Sequence, residues 1–170
     1  MADIKSGKGV NLFMKKTHRR RLIFTVLSVL FTAFIFFNSI QNGIASSAQS
    51  GNFVLLLESI LSRIRISVSI SEFIIRKLAH FSEFFILGIL LCLTLRTYTV
   101  KIIKNVTVPL FFGLLIAVTD EFIQLFSAGR AGLVADVVID FSGFITGLVL
   151  GILVVLWRDK RKKNKCADLG

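Results

Sequence analysis

Residues that could perform chemistry are concentrated in two short stretches of an otherwise apolar chain. The stretch RKLAHFSEFF at 76–85 supplies a lysine, a histidine and a glutamate, and TDEFIQLFSAGRAGLVADVVID at 119–140 supplies four carboxylates, an amide and an arginine. Histidine and carboxylates can transfer protons or hold a divalent cation. Lysine and arginine bind phosphate or carboxylate groups. Together the two stretches contain the side chains that a site for an anionic ligand requires.

These side chains fall into two groups by the role they could take. The candidate catalytic residues are those that can exchange a proton: His80, Glu83, Asp120 and Glu121. The candidate ligand-binding residues are those that offer a charge or an amide: Lys77, Gln124, Arg130, Asp136 and Asp140. A histidine and a glutamate three residues apart form a weak metal motif, because two ligands at that spacing recur by chance. The sequence indicates no particular cofactor or metal, and it leaves open whether the chain is an enzyme.

Helical spacing groups these residues by face. Asp120 and Gln124 are four residues apart, as are Asp136 and Asp140, so each pair shares one face of a helix. The face of Asp136 and Asp140 continues as a stripe of glycines at Gly143, Gly147 and Gly151. Because such a stripe lets another helix approach closely, we expect both carboxylates on the packing side of their helix. Ionisable groups in that position normally have a function.

The elements that position these residues are predicted to be membrane-spanning helices. The chain has 170 residues, 54% of them hydrophobic, and one proline, a composition typical of integral membrane proteins. Four segments have the roughly 20 apolar residues that a span needs: 22–40, 73–95, 106–126 and 133–157. The first could instead be a signal peptide, but its basic leader and its apolar run are both too long. The predicted fold is an all-α bundle of four transmembrane helices.

Basic residues orient the predicted bundle. With both termini cytoplasmic, 16 of the 21 lysines and arginines lie inside, and five lie outside. The positive-inside rule therefore places both termini in the cytoplasm. The chain divides into a basic leader at 1–21, a transmembrane domain at 22–157 with an outer loop at 41–72, and a basic tail at 158–170. Since the basic residues flank spans, we expect a lipid bilayer as the partner, and not nucleic acid.

This topology brings the polar stretches to one depth. The second helix starts from the outer face, the third ends there and the fourth starts there, so their polar residues lie within about 10–12 Å of the outer boundary. The region holds five acids: Glu83, Asp120, Glu121, Asp136 and Asp140. Nearby bases are fewer, so we expect that an acid is protonated or that a cation shares the site. The alternative is that these residues only fix helix packing through buried ion pairs and hydrogen bonds.

Several motifs occur together in these stretches. In chain order they are K-x-x-H-x-x-E-F leading to a glycine, D-E-x-x-Q-x-F, a turn with G-R, and D-x-x-x-D-x-x-G-x-x-x-G. The residues concerned are Lys77, His80, Glu83, Phe84, Gly88, Asp120, Glu121, Gln124, Phe126, Gly129, Arg130, Asp136, Asp140, Gly143 and Gly147. This combination, with Ser39 and Gln41 after the first helix, resembles the VanZ-like family of small polytopic membrane proteins. Asp140, where asparagine is more usual, and Ala128, where proline is often found, depart from the family pattern.

The resemblance implies a multi-pass protein of the bacterial cytoplasmic membrane with a role in the cell envelope, and no established chemistry. The family is named for a protein associated with low-level resistance to the glycopeptide teicoplanin. The leading hypothesis is that the chain binds or modifies an anionic lipid-linked envelope precursor, or a glycopeptide, at the outer face. The alternatives are a small proton-coupled transporter and a non-catalytic scaffold that packs against partners through its glycine stripe. The sequence leaves the oligomeric state open.

Overall fold

A computed structural model describes residues 3–40, 72–127 and 133–167, and these residues form four long α-helices. The helices are α1 (Asp3–Ile40), α2 (Glu72–Tyr98), α3 (Thr107–Gln124) and α4 (Val134–Ala167), with a 3-10 turn at Ile103–Asn105 before α3. Each contains a segment long and apolar enough to cross a membrane. No strand occurs within the described ranges. The prediction of an all-α bundle with four transmembrane helices is confirmed.

Some helix ends differ from the predicted spans. α1 begins at Asp3, within the basic leader, and α4 continues to Ala167 through the basic tail. Lysine and arginine are good helix formers, so a helix that leaves the apolar region need not end there. α3 ends at Gln124, slightly before the predicted 126, because the amides of Phe126 and Ser127 donate to carbonyls three residues earlier and tighten the last turn. The connection at 41–71 lies outside the described residues.

The centre of the bundle is the contact between α2 and α4, which pack on each other more extensively than any other pair of helices. Glycines make the close approach possible. A Cβ added at Gly147 or Gly143 would collide with the backbone carbonyl of Phe85 or Phe81, and one added at Gly88 would lie 2.7 Å from the amide nitrogen of Leu148. The two backbones are therefore separated by less than one side chain at these points.

The other two helices complete the core around this pair. α1 contributes Ile35, and α3 contributes Ala117, to a buried cluster that also contains Phe84, Leu87 and Phe144. Large apolar side chains cover the outside of all four helices, as expected of a surface that faces lipid. The bundle is therefore apolar both at its centre and on its surface, and its polar groups are concentrated at the ends.

At the end where α2 finishes, polar contacts join three helices. Nη2 of Arg96 lies 2.9 and 2.7 Å from the two carboxylate oxygens of Asp159 on α4. On α1, Nε of Arg21 donates to the carbonyl of Thr97 at 2.9 Å. These groups remain partly exposed, so solvent weakens the ion pair.

Loss of the Arg96–Asp159 pair is expected to have a small effect on stability. Asp159→Asn should lower the free energy of unfolding by less than about 1 kcal/mol, because both partners are about a third exposed. The apparent melting temperature of the purified chain in detergent measures this. A large loss would mean that the pair is shielded from solvent in a way that its exposure does not indicate.

Candidate functional site

The opposite end of the bundle is polar, and all four helices contribute to it. α1 and α3 end there, and α2 and α4 begin there. The residues that meet at this end are defined here as the polar cluster: Asn38, Ser39, Lys77, His80, Glu83, Asp120, Glu121, Gln124, Asp136 and Asp140. Ion pairs and hydrogen bonds between different helices hold the cluster together. The two polar stretches of the sequence are thus brought to one place.

Asp120 is a central residue of the cluster and is fully buried. The hydroxyl of Ser39 on α1 donates to its Oδ1 at 2.5 Å, and Nε2 of Gln124 donates to its Oδ2 at 2.9 Å. Gln124 lies one turn further along α3, on the same face, so the helix itself sets this second bond. Two donors from two helices therefore fix the orientation of the carboxylate.

Glu121, the neighbour of Asp120, accepts a bond from the start of α4. Its Oε1 accepts the backbone N–H of Leu133 at 2.6 Å, one residue before the helix begins. The first amides of a helix have no partners within the helix, and its N-terminus attracts negative charge. Glu121 is 6% exposed, and its other oxygen, Oε2, has no hydrogen-bond partner among the described residues. One oxygen therefore binds the amide that precedes α4, and the other is buried without a hydrogen-bond partner among the described residues.

Lys77 on α2 forms an ion pair with Asp136 on α4. The side chains of the two residues are 16% and 17% exposed, so the pair lies largely out of solvent. The Lys77 ammonium also lies 5.1 Å from the ring centroid of Phe73. Lys77 was predicted to bind a ligand, but here its charge is already matched by a protein carboxylate.

α1 takes a larger part in the cluster than the sequence indicated. Nδ2 of Asn38 donates to Oε1 of Glu83 at 2.8 Å, and Ser39 binds Asp120 as described. The hydroxyl of Ser127 donates to the carbonyls of Ser39 and Ile40 at 2.8 and 3.3 Å, and so satisfies acceptors at the end of α1. From the sequence, polar residues of the second, third and fourth helices are predicted to share one membrane depth. The same comparison of depths at the end of the first span would have found these α1 residues.

Three residues from three helices offer metal-binding atoms at short range. One ligand atom from each of His80, Asp120 and Asp140 lies within 4.8 Å of the other two. Asp140 is 2% exposed, and its Oδ2 has no hydrogen-bond partner among the described residues. Asp136 and Asp140, one turn apart on α4, therefore make different contacts. Asp136 forms the ion pair near the start of the helix, and Asp140 lies one turn deeper with His80 and Asp120.

The remaining predicted residues divide into two cases. Gly143 and Gly147 lie at the α2–α4 contact, and an added Cβ at Gly151 would lie 3.0 Å from Cβ of Cys92 on α2. The glycine stripe is therefore covered by a helix of the same chain. Arg130 lies outside the described residues.

The charges of the cluster do not balance. Lys77 matches Asp136, and three further acids are buried beside His80: Asp120, Glu121 and Asp140. Burial of an uncompensated carboxylate costs several kcal/mol, so a proton, a bound cation or a basic residue outside the described ranges must offset part of this charge. The geometry can therefore hold a cation, or protons shared between carboxylates.

Comparison with protein families gives one match. The family model described as VanZ/LLP1 matches residues 24–156, a range that contains every residue of the polar cluster and reaches from α1 into α4. Neither the curated proteins nor the solved structures gave a match. Because the matched range covers well over half of the sequence, the chain belongs to the VanZ/LLP1 family.

Proposed function

We propose that this chain is a bacterial cell-envelope protein that binds an anionic, lipid-linked envelope component, or a glycopeptide such as teicoplanin, at the polar cluster. The observation that carries the proposal is the convergence of ionisable side chains from three helices, joined by two polar side chains of α1, at one end of an otherwise apolar bundle. Such burial is costly, and helix packing alone does not need it. Both termini are taken to be cytoplasmic, which turns the polar cluster toward the outer leaflet.

The binding mode follows from the charges. An anionic headgroup beside buried carboxylates needs positive charge, and Lys77 is already paired with Asp136. Carboxylates and phosphates commonly share a divalent cation, which neutralises both. The proposed ligand therefore binds through a cation held by the cluster, with Arg130 as a further contact. His80 or Glu83 would move a proton if the bound component reacts.

No observation favours the alternative functions. On the bundle side of the cluster the core that the described residues form is mainly apolar, with Ile35, Phe84 and Phe144 buried. This counts against a proton-coupled transporter. The glycine stripe is occupied by α2, which counts against a scaffold that would use it to dock partners.

Binding is tested with a polyprenyl phosphate as the probe and the neutral polyprenol as its control. We expect the purified chain in detergent to bind the phosphate and not the alcohol, because only the phosphate can share a cation with the carboxylates. Asp120→Asn should weaken the phosphate complex, since it removes one of these charges, and Asp159→Asn at the other end should not. Equal binding of phosphate and alcohol would contradict the proposal.

The proposed role in the cell envelope can also be tested in cells. Expression of the chain in a susceptible bacterium should raise the teicoplanin concentration that stops growth. His80→Ala, Arg130→Ala and Asp136→Asn, made at normal levels in the membrane, should abolish the increase, and Asp159→Asn should keep it. An increase that survives in all three variants would refute a role for these residues.

A further inference from the structure

We propose that His80, Asp120 and Asp140 form a binding site for one divalent transition-metal ion of the zinc type. The inference deepens the proposed function, on which it rests for the role of the metal: the ion would supply the positive charge that an anionic headgroup needs. The site combines a residue from α2, one from α3 and one from α4, so it exists only when the bundle is assembled.

The three ligand atoms are near enough to share a single ion once their side chains close around it. The three ligand atoms lie within 4.8 Å of one another. Zinc binds histidine nitrogen and carboxylate oxygen at about 2.0–2.2 Å, so two ligands of one tetrahedral ion lie about 3.4 Å apart. Side-chain rotations that move each ligand atom by up to about 1 Å would close this difference.

Asp120 has the support that a metal-binding carboxylate needs. Ser39 donates to one of its oxygens and Gln124 to the other. A carboxylate offers about four lone-pair positions, so both oxygens keep capacity for a metal. Outer partners of this kind hold a ligand in its binding orientation, and their loss weakens metal binding.

Asp140 supplies the observation that points to a ligand. Only 2% of Asp140 is exposed, and its Oδ2 has no hydrogen-bond partner within the described ranges. A buried polar oxygen left in this way is unfavourable unless something binds it. A carboxylate oxygen of Asp140 lies within 4.8 Å of a ligand atom of His80 and of one of Asp120.

The ligand types select the class of metal. Magnesium and calcium prefer oxygen ligands, whereas imidazole suits zinc and related transition metals. One histidine and two carboxylates leave a coordination position open in a four-coordinate ion. A phosphate or carboxylate oxygen of the ligand, or water in its absence, would occupy that position.

The test is metal titration of the full chain, purified in detergent and stripped with a chelator. We expect one Zn²⁺ per chain, and visible absorption bands when Co²⁺ replaces it. Asp140→Asn and His80→Ala should each weaken Zn²⁺ binding at least about 100-fold, and Gln124→Ala about tenfold. Asp159→Asn, which removes a carboxylate at the other end, should bind Zn²⁺ like the wild type. Zn²⁺ should also raise the melting temperature of the wild type, but not of Asp140→Asn.

Two results would overturn the inference. One is a folded wild type that binds neither Zn²⁺ nor Co²⁺, which would leave protons to neutralise the carboxylates. The other is Zn²⁺ binding that is equal in the wild type, His80→Ala and Asp140→Asn, which would place the metal elsewhere. A cooperative melting transition in each variant separates lost binding from lost folding. Zn²⁺ binding with no polyprenyl phosphate binding would reject the proposed function and keep the metal site. Polyprenyl phosphate binding by a chain that does not bind Zn²⁺ would reject the metal site and keep the proposed function.

Discussion

Gly147→Ala should prevent the bundle from forming its native α2–α4 contact. The new Cβ would collide with the carbonyl oxygen of Phe85 and lie 2.8 Å from the carbonyl carbon. Both are backbone atoms of a packed helix, so relief requires that a whole helix moves. Overpacking of a core usually costs about 1–3 kcal/mol, and a clash with backbone belongs at or above the upper end of that range.

The free thiol of Cys92 offers a way to measure this loss. Cys92 is buried in α2, so a thiol-reactive dye reports unfolding when the helix is exposed. Dye labelling is followed as the temperature rises, in a Cys166→Ser background that removes the second thiol of the chain. We expect a large fall in the melting temperature, or no folded protein at all.

Gly151→Ala is the matched control on the same face of α4. There the nearest atoms are Cβ and Sγ of Cys92 at 3.0 and 3.1 Å, so the neighbours need to give way by only a few tenths of an ångström. The loss at Gly151 should therefore be clearly smaller. Equal losses at the two positions would show that glycine conformational entropy, and not close helix approach, determines the effect.

Lys77→Met should be the most destabilising single change among the charged residues of the cluster. It leaves Asp136 largely buried without its partner, since the side chain of Asp136 is 17% exposed. Removal of one member of a buried pair costs about 3–5 kcal/mol, and the remaining exposure lowers the expected loss to about 2–3 kcal/mol. Unfolding of the purified chain in detergent measures it.

A double-mutant cycle isolates the contribution of the pair. Lys77→Met combined with Asp136→Leu removes both charges, so it should recover most of the stability that Lys77→Met loses. If the double variant folds but no longer binds the polyprenyl phosphate, the pair has a role beyond packing. A loss in Lys77→Met no larger than that of Asp159→Asn would show that Asp136 finds water or another partner.

The helices and their polar end could be predicted from the sequence because they depend on periodicity and on length. Apolar runs of about 20 residues define spans, and alternating direction then brings the ends of non-consecutive spans together. The i, i+4 spacing of Asp120 and Gln124 gave the bond between them for the same reason. These features are local to one helix or follow from its direction.

The partners between helices could not be predicted, because they depend on how each helix is rotated about its axis. Nothing local shows that Ser39 would meet Asp120, or that Glu121 would accept the amide of Leu133. The same holds for the separation of roles on α4, where Asp136 meets Lys77 and Asp140 lies with the metal-binding group. Such contacts are set by the packing of four helices at once.

The glycine contact also sets an order of events during synthesis. α2 packs more extensively on α4, the last of the four described helices to be made, than on α1 or α3. Chains are made from the N-terminus, so α2 enters the membrane before its main partner exists. Until then Lys77 and His80 lack the carboxylates of α4. The nascent protein must therefore keep these polar side chains near the headgroups or in contact with the insertion machinery, and the site is completed only when α4 arrives.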